Sequence, residues 1–371
     1  MSSSTFKCVQ ALRGLAALSV MLFHFRWNIN AISPGFGDSL FGWGASGVDL
    51  FFIISGFVIT LSAQKIPQSF SGAVTFLKKR ALRIFPAYYL ILIITFLLGG
   101  AMSTFHYPDK TANLISALTF MPIDATHAPF YVDDGGMYGI RWTLNYEVYF
   151  YLVVGVMLMF PLRWLSVSAF FTATLVLFPV LSGEAFSLSP DGYHFDSALL
   201  GLVTNPIILL FISGALLARL TPWLTKANGT LMSLAFCLSL LMTIYFFSQG
   251  KFAVHGLASS GWLYLLLMAT AIGAEKTLGK FVPTLLMGLG NISFSLYLIH
   301  TLMNTGLGKR FASLGIEHGY ERLILSVGLS LCLAWLSWRY IEQPFTPVLR
   351  KTDALRNPLS KTSCPGYLLV K

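Results

Sequence analysis

Charged residues are scarce in this chain of 371 residues, of which only 11% are Asp, Glu, Lys or Arg. A soluble domain of this length carries about 25% charged residues, so the side chains that would cover a water-facing surface are missing. Instead, 55% of the residues are hydrophobic and the mean hydropathy is +0.70. The composition excludes a soluble globular protein and predicts an all-α, polytopic membrane protein that is solvated largely by lipid.

Cysteines and the common catalytic motifs are also few. The four cysteines, which lie at positions 8, 237, 332 and 364, show no CxxC spacing, so neither a disulfide framework nor a thiolate metal site is expected. HExxH, Walker A, GxGxxG and GxSxG do not occur, and we expect no metal cofactor. GDSL at 37–40 spells a lipase nucleophile motif, but its loop is too short for that fold, so Ser39 is interpreted as a loop residue.

Ten apolar runs approach the roughly 20 residues that a transmembrane helix needs. They cover approximately residues 9–27, 46–63, 81–103, 143–160, 164–182, 202–219, 229–247, 258–274, 284–305 and 321–341. The first run lacks a small-x-small cleavage site, so we interpret it as a retained helix rather than a signal peptide. We expect a membrane domain over residues 1–345 and a cytoplasmic tail over 346–371.

Basic clusters indicate how these helices are oriented. The connection at 65–83 holds five Lys or Arg residues, and the tail after residue 345 is also basic. Both lie on one side of the membrane, which the positive-inside rule assigns to the cytoplasm, so both termini are expected there. The net charge of +10 is thus explained by topology, and no nucleic-acid partner is expected.

The first apolar run, LRGLAALSVMLFHF, contains two residues that are costly in lipid, Arg13 and His24. Eleven residues of helix advance about 16 Å and return to nearly the same face. Arg13 therefore points from the cytoplasmic half of that face and His24 from the outer half. Either residue alone could be explained by snorkelling or by a satisfied core histidine.

Other ionisable residues are expected in the outer halves of later spans, namely Asp49, Glu147 and His300. Tyr297 and Asn304 share a helical stripe with His300. Each residue has a structural alternative, because the carboxylates could cap helix starts and His300 could bond a neighbouring carbonyl. Their similar depth predicts instead a polar cavity that is biased toward the outer side, since intramembrane ionisable groups usually face a cavity or a partner.

The stretch FLKKRALRIFPAYY places Lys79, Arg80 and Arg83 at the entrance of the third span. Topology alone explains most such clusters. Arg83 and Arg13 lie deeper than topology requires, so we expect this group to hold an anionic cytoplasmic ligand such as a phosphate.

The chain resembles the acyltransferase-3 family of integral membrane O-acyltransferases. The resemblance rests on LRGLAALSVMLFHF, GVDLFFIISGFVIT, FLKKRALRIFPAYY, WTLNYEVYFYL, NISFSLYLIH and RYIEQPF, which occur in family order over about residues 8–345. The double glutamate that many relatives have at the fourth span is absent, because Val148 follows Glu147. Many relatives also carry an extra hydrolase-like domain. We expect none here, so transfer is completed by the membrane domain or by a separate protein.

The resemblance implies transfer of an acyl group, usually acetyl, from cytoplasmic acyl-CoA (acetyl-CoA) to a hydroxyl of a cell-surface or exported glycan or lipid-linked sugar such as a lipopolysaccharide. A bacterial inner (plasma) membrane is the expected location, with membrane lipids as neighbours. The family's characteristic arginine and histidine fall on Arg13 and His24, its basic motif on Lys79, Arg80 and Arg83, and its acidic position on Glu147.

We hypothesise that His24 is the general base, because a histidine pKa near 6.5 suits that role, and that Glu147 or Asp49 orients it. Arg13 would bind the acyl-CoA or polarise its thioester. Tyr297, His300 and Asn304 would line the acceptor side, or His300 and Tyr297 would carry the acyl group briefly. The alternatives are a transporter or flippase for a glycan or anionic substrate, or an acyltransferase for a small molecule such as a macrolide.

Overall fold

The computed structural model describes residues 6–98, 101–133, 138–304 and 306–344. The predicted tail at 346–371 lies outside them. Every regular element in the described residues is helical, which confirms the all-α prediction. Because lipid supplies no hydrogen bonds to a backbone, a chain this apolar satisfies its peptide groups within helices.

The helices of the first half are α1 (Lys7–Phe25), α2 (Trp27–Asn30), α3 (Phe36–Phe41), α4 (Gly47–Gln64), α5 (Phe70–Leu98), α6 (Ala101–Thr104), α7 (Pro108–Thr119), α8 (Trp142–Met157) and α9 (Arg163–Thr172). Those of the second half are α10 (Phe178–Leu181), α11 (Ala198–Thr204), α12 (Ile208–Leu224), α13 (Gly229–Ser248), α14 (Trp262–Gly273), α15 (Glu275–Leu278), α16 (Thr284–Ile299), α17 (Gly306–Ser313) and α18 (Tyr320–Ser337).

Shorter 3-10 turns occupy Gly42–Ser46, Gly139–Arg141, Gly279–Phe281 and His300–Met303. Among the described residues, π-helical turns occupy Ala173–Leu177 and Trp338–Glu342, and the turn at Leu257–Gly261 is kinked at Ser259, whose φ of -108° and ψ of -110° are not helical.

The number of membrane spans is slightly lower than the ten apolar runs predict. In the described part of the chain, eight helices are long and apolar enough to cross a membrane, and a ninth is added if the pair Leu257–Gly273 and Glu275–Phe281, bent by 62°, is one span. The remaining predicted span corresponds to α8, which has 16 residues and falls short of the roughly 20 that a bilayer requires. The protein is an integral membrane protein.

Small residues let the central helices approach closely. A Cβ atom on Gly56 of α4 would lie 2.0 Å from the carbonyl oxygen of Phe211 on α12, and one on Gly214 of α12 would lie 1.9 Å from the carbonyl oxygen of Ile53. Helices in lipid associate largely through such close packing. The contact holds α4 firmly in the middle of the bundle, where it forms one wall of the candidate site.

Hydrogen bonds at the two ends of α1 distinguish the two ends of the bundle. At the Lys7 end, where α1 begins, the Glu275 carboxylate accepts hydrogen bonds from the backbone N–H groups of Lys7 (2.8 Å) and Cys8 (3.0 Å). At the His24 end, where α1 finishes, the side-chain amide of Asn304 donates to the His24 carbonyl at 2.8 Å. The His24 end is the one that the sequence predicts to face outward.

Candidate active site

A cavity of about 110 Å³ lies between α1, α4, α5, α8 and α16. Its apolar lining comes mainly from α4. Its polar lining consists of Arg13, Ser55, Arg80, Arg83, Thr143, Glu147, Tyr151 and Tyr297. The cavity therefore gathers charged side chains from three separate helices, α1, α5 and α8.

The three cavity arginines differ in how fully they are paired. Arg83 Nη1 donates to Glu342 Oε2 at 2.5 Å, and Arg80 donates to the Ser62 hydroxyl. Arg13 makes no hydrogen bond within the described residues, although it lies near the charges of Arg83 and Glu342. A partly buried guanidinium without a full set of partners favours an anion or a polarised carbonyl.

Glu147 faces these arginines. Its Oε1 accepts hydrogen bonds from the Tyr151 hydroxyl at 2.5 Å and from Ser55 Oγ at 3.3 Å. The sequence places Glu147 at the depth of His24, but the cavity groups it with Arg13 and with the arginines of α5. Glu147 therefore belongs to the cavity rather than to a cluster with His24, which does not line it.

His24 and His300 are in direct contact, with ring centroids 4.9 Å apart. His300 is fully buried, and its Nδ1 lies 3.2 Å from the Leu296 carbonyl, so in the neutral ring Nδ1 carries the proton. Its Nε2 has no hydrogen-bond partner in the described structure. His24 and His300 therefore meet, and neither His300 Nε2 nor the ring nitrogens of His24 make a hydrogen bond within the described residues.

Tyr297 connects this histidine pair to the cavity. Its ring centroid lies 5.7 Å from that of His300. Its hydroxyl forms a hydrogen bond with Thr143 Oγ1 at 2.8 Å and donates one to the Ile140 carbonyl at 3.1 Å. A continuous series of rings thus runs from His24 through His300 to Tyr297 and the cavity.

Asp49 belongs to a different group. Its carboxylate is fully buried and accepts hydrogen bonds from His255 Nδ1 (2.7 Å), the Gly256 backbone N–H (2.7 Å) and Ser260 Oγ (2.6 Å). Neither Asp49 nor Glu147 bonds the His24 ring, so the expected orientation of His24 by a carboxylate does not occur in this structure. The expected outer cluster is instead divided into three groups.

Two other predicted residues lie beside the cavity rather than in its wall. Lys79 neighbours Arg80 on α5, but it does not line the cavity. Asn304 is exposed at the His24 end, where its amide fixes the last turn of α1 through the His24 carbonyl. No group of three or more His, Cys, Asp or Glu side chains suited to a metal ion occurs among the described residues.

The amino-acid sequence is similar to those of known protein families and proteins. A family model described as an acyltransferase domain matches residues 6–339. The chain belongs to this acyltransferase family.

Two rhizobial proteins are similar to this acyltransferase over most of their lengths. Exopolysaccharide production protein ExoZ of Rhizobium meliloti (strain 1021) is 29% identical over 84% of this chain and 92% of its own. Nodulation protein 10 of Rhizobium leguminosarum bv. viciae is 28% identical over 90% of this chain and 91% of its own.

Peptidoglycan O-acetyltransferase OatA of Listeria monocytogenes (serovar 1/2a, strain EGD-e) is 26% identical over 91% of this chain. The match covers only 55% of OatA. No solved structure matches this acyltransferase.

Three residues of this acyltransferase's polar network were missed by sequence reasoning. Glu342, which pairs with Arg83 and also accepts from Ser295 Oγ at 2.6 Å, lies within the RYIEQPF stretch, where an acidic residue beside an apolar run was a usable signal. Tyr151 follows Glu147 by one helical turn, so its contact was also accessible. His255 offered no signal, because it lies in a polar loop far from Asp49 in the sequence.

Proposed function

We propose that this acyltransferase moves an acyl group, most simply acetyl, from acyl-CoA at the Lys7 end to a hydroxyl of a glycan at the His24 end. The observation that carries the proposal is the cavity that holds Arg13, Arg80, Arg83 and Glu147 and connects through ring contacts to His24. The names of the relatives, which include exopolysaccharide production and peptidoglycan O-acetylation, support the choice of a glycan acceptor.

The size and charge of the cavity suit one part of the donor. Its volume of about 110 Å³ is well below the roughly 300 Å³ at which sites for whole cofactors begin, so it accommodates the acyl thioester rather than the nucleotide. Arg80, Arg83 and Lys79 would bind phosphates at the Lys7 end, as guanidinium and ammonium groups commonly do. Arg13 would polarise the thioester carbonyl, because its guanidinium lines the cavity and makes no hydrogen bond with any residue that the structure describes.

The chemical step requires one proton acceptor. A hydroxyl oxygen of the acceptor forms a bond to the acyl carbon, and the carbon–sulfur bond of the thioester breaks. His24 takes the proton from that hydroxyl and returns it to the departing thiolate, which leaves as the free thiol of coenzyme A. A positioned base of this kind contributes about 10²- to 10⁴-fold to the rate, and Arg13 stabilises the charge that develops on the carbonyl oxygen.

His300 and Tyr297 would hold the ring of His24 and the acceptor close to the thioester. Their contacts with each other and with His24 make an aromatic path between the two ends of the site. Glu147 would balance the charge of the arginines when no anion is bound, and Asn304 would hold the end of α1.

The test uses the purified protein in liposomes, acetyl-CoA labelled in its acetyl group, and surface polysaccharide of the producing bacterium from which esters have been removed with mild alkali. We expect label to become covalently attached to the polysaccharide. Movement of unmodified polysaccharide across the liposome membrane without covalent label would contradict the proposal and favour a carrier. Label on an added macrolide but not on polysaccharide would reject the glycan acceptor.

A further inference from the structure

The Asp49–His255 pair lies outside the cavity and has no part in the proposed chemistry. Asp49 is in the first turn of α4, and His255 lies in the loop that precedes the kinked turn at Leu257–Gly261. A buried carboxylate bonded to Nδ1 of a histidine fixes both the direction of the ring and the position of its proton.

The hydrogen bond at 2.7 Å from Nδ1 to Asp49 leaves a lone pair on Nε2 in the neutral ring. Nε2 makes no hydrogen bond within the described residues, and the His255 side chain is 17% exposed. The pair therefore presents one oriented hydrogen-bond acceptor at the surface of the bundle.

His255 stands next to the wall of the cavity at the His24 end. Its ring centroid is 5.7 Å from that of Trp142, and Thr143, the residue after Trp142, lines the cavity, as does Val48, the residue before Asp49. His255 itself does not line the cavity. A ligand group that meets Nε2 thus lies outside the cavity, beside residues whose chain neighbours line it.

The other two hydrogen bonds of Asp49 come from the Gly256 backbone N–H and the Ser260 hydroxyl. They join α4 to Gly256, whose φ is +112°, and to the fully buried Ser260, and so they hold the bend before α14. We call these contacts of Asp49 with His255, Gly256 and Ser260 the Asp49 clamp. The clamp requires a donor at His255 Nδ1 but makes no use of Nε2. An asparagine at position 255 could supply such a donor, so the clamp does not explain why this residue is a histidine.

We propose that His255 Nε2 accepts a hydrogen bond from a hydroxyl of the saccharide acceptor and that Asp49 is its positioning residue. A neutral hydroxyl fits better than an anion, because the ring is hydrogen-bonded to the negatively charged carboxylate of Asp49. The inference rests on the proposed function, and it adds a recognition contact for the acceptor at the His24 end.

Two substitutions at the same position separate recognition from clamping. In His255→Asn, the amide nitrogen takes the place of Nδ1 and keeps the bond to Asp49, but nothing replaces Nε2. In His255→Gln, the longer side chain puts an amide oxygen near the place of Nε2 and gives up the donor at Nδ1. Ser260→Ala is the matched control, since it removes one clamp bond and leaves the imidazole in place.

The KM and kcat for de-esterified polysaccharide are measured with labelled acetyl-CoA, together with the slow release of thiol from acetyl-CoA without acceptor and the melting temperature in detergent. Loss of one neutral hydrogen bond corresponds to about a threefold to tenfold change. We expect His255→Asn to raise the KM for polysaccharide by that factor, with kcat and thiol release unchanged. A higher KM at constant kcat is the signature of a lost binding contact.

His255→Gln and Ser260→Ala should lower the melting temperature and leave the KM for polysaccharide near that of the wild type. A wild-type KM in His255→Asn would overturn the inference, because the Asp49–His255 pair would then act only as a structural clamp. Equal rises in KM in His255→Asn and Ser260→Ala would do the same. If His255→Asn does not fold, a raised KM in His255→Gln overturns the inference, and a wild-type KM supports it. If the wild type labels no polysaccharide, the proposed function itself fails.

Discussion

The arginine cavity and the Asp49 clamp solve the problem of charge inside a membrane bundle in opposite ways. Asp49 is fully buried and accepts three hydrogen bonds of 2.6 to 2.7 Å, so its charge is satisfied by the protein. Arg13 lines a cavity and has no hydrogen bond within the described residues. Intramembrane charge is expensive, so we propose that Arg13 binds a ligand, whereas the hydrogen bonds of Asp49 hold the fold and orient His255.

The largest effect is expected at the histidine that the ring series connects to the cavity. His24→Ala removes the proposed general base, so ester formation should fall by at least about 100-fold, while protein abundance and membrane insertion persist. The measurement is transfer of labelled acetyl to polysaccharide, corrected for protein by immunoblot. His318→Ala, at an exposed histidine near Glu317, is the control and should retain full activity. Equal activity in the two variants would remove His24 from the mechanism.

The comparison between cavity and clamp is tested directly by one alanine substitution in each. Asp49→Ala leaves the donors of His255, Gly256 and Ser260 without their acceptor, and an unsatisfied buried donor costs about 1 to 3 kcal/mol. We expect a total loss of about 3 kcal/mol, measured as a large decrease in melting temperature in detergent.

Arg13→Ala breaks no hydrogen bond between described residues and should leave the melting temperature nearly unchanged. Its kcat/KM for acetyl-CoA should fall by about tenfold or more, because a charged hydrogen bond contributes about 1.5 to 3 kcal/mol. If Arg13→Ala unfolds as readily as Asp49→Ala, both residues are structural and the comparison fails.

A smaller effect separates ligand binding from topology within the basic cluster. Arg80→Ala should raise the apparent KM for acetyl-CoA by about tenfold, since Arg80 lines the cavity and a charged hydrogen bond is lost. Lys78→Ala is the matched control, because Lys78 is exposed on the same helix and carries the same charge. Steady-state kinetics at saturating acceptor make the measurement. Equal changes in abundance or topology, with KM unaltered in both, would show that the cluster acts only through the positive-inside rule.

Hydropathy alone predicted most of the architecture. Each of the ten apolar runs corresponds to a helical segment, although α8 has only 16 residues, because a chain in lipid must satisfy its backbone within each span. The common face of Arg13 and His24 also follows from helical periodicity. The contact between His24 and His300 agrees with their expected depth.

The partners of the charged residues were decided by tertiary structure. Arg83 and Glu342 are 259 residues apart in the chain, and Asp49 and His255 are 206 apart. No local pattern specifies such pairs, because helix faces that meet lipid and faces that meet protein are equally apolar. Periodicity gives a side chain's direction on its own helix, and only the packing of helices against one another determines which side chain it meets. That is why the sequence indicated one outer polar cluster, whereas the folded chain contains an arginine cavity, a histidine pair and a carboxylate clamp.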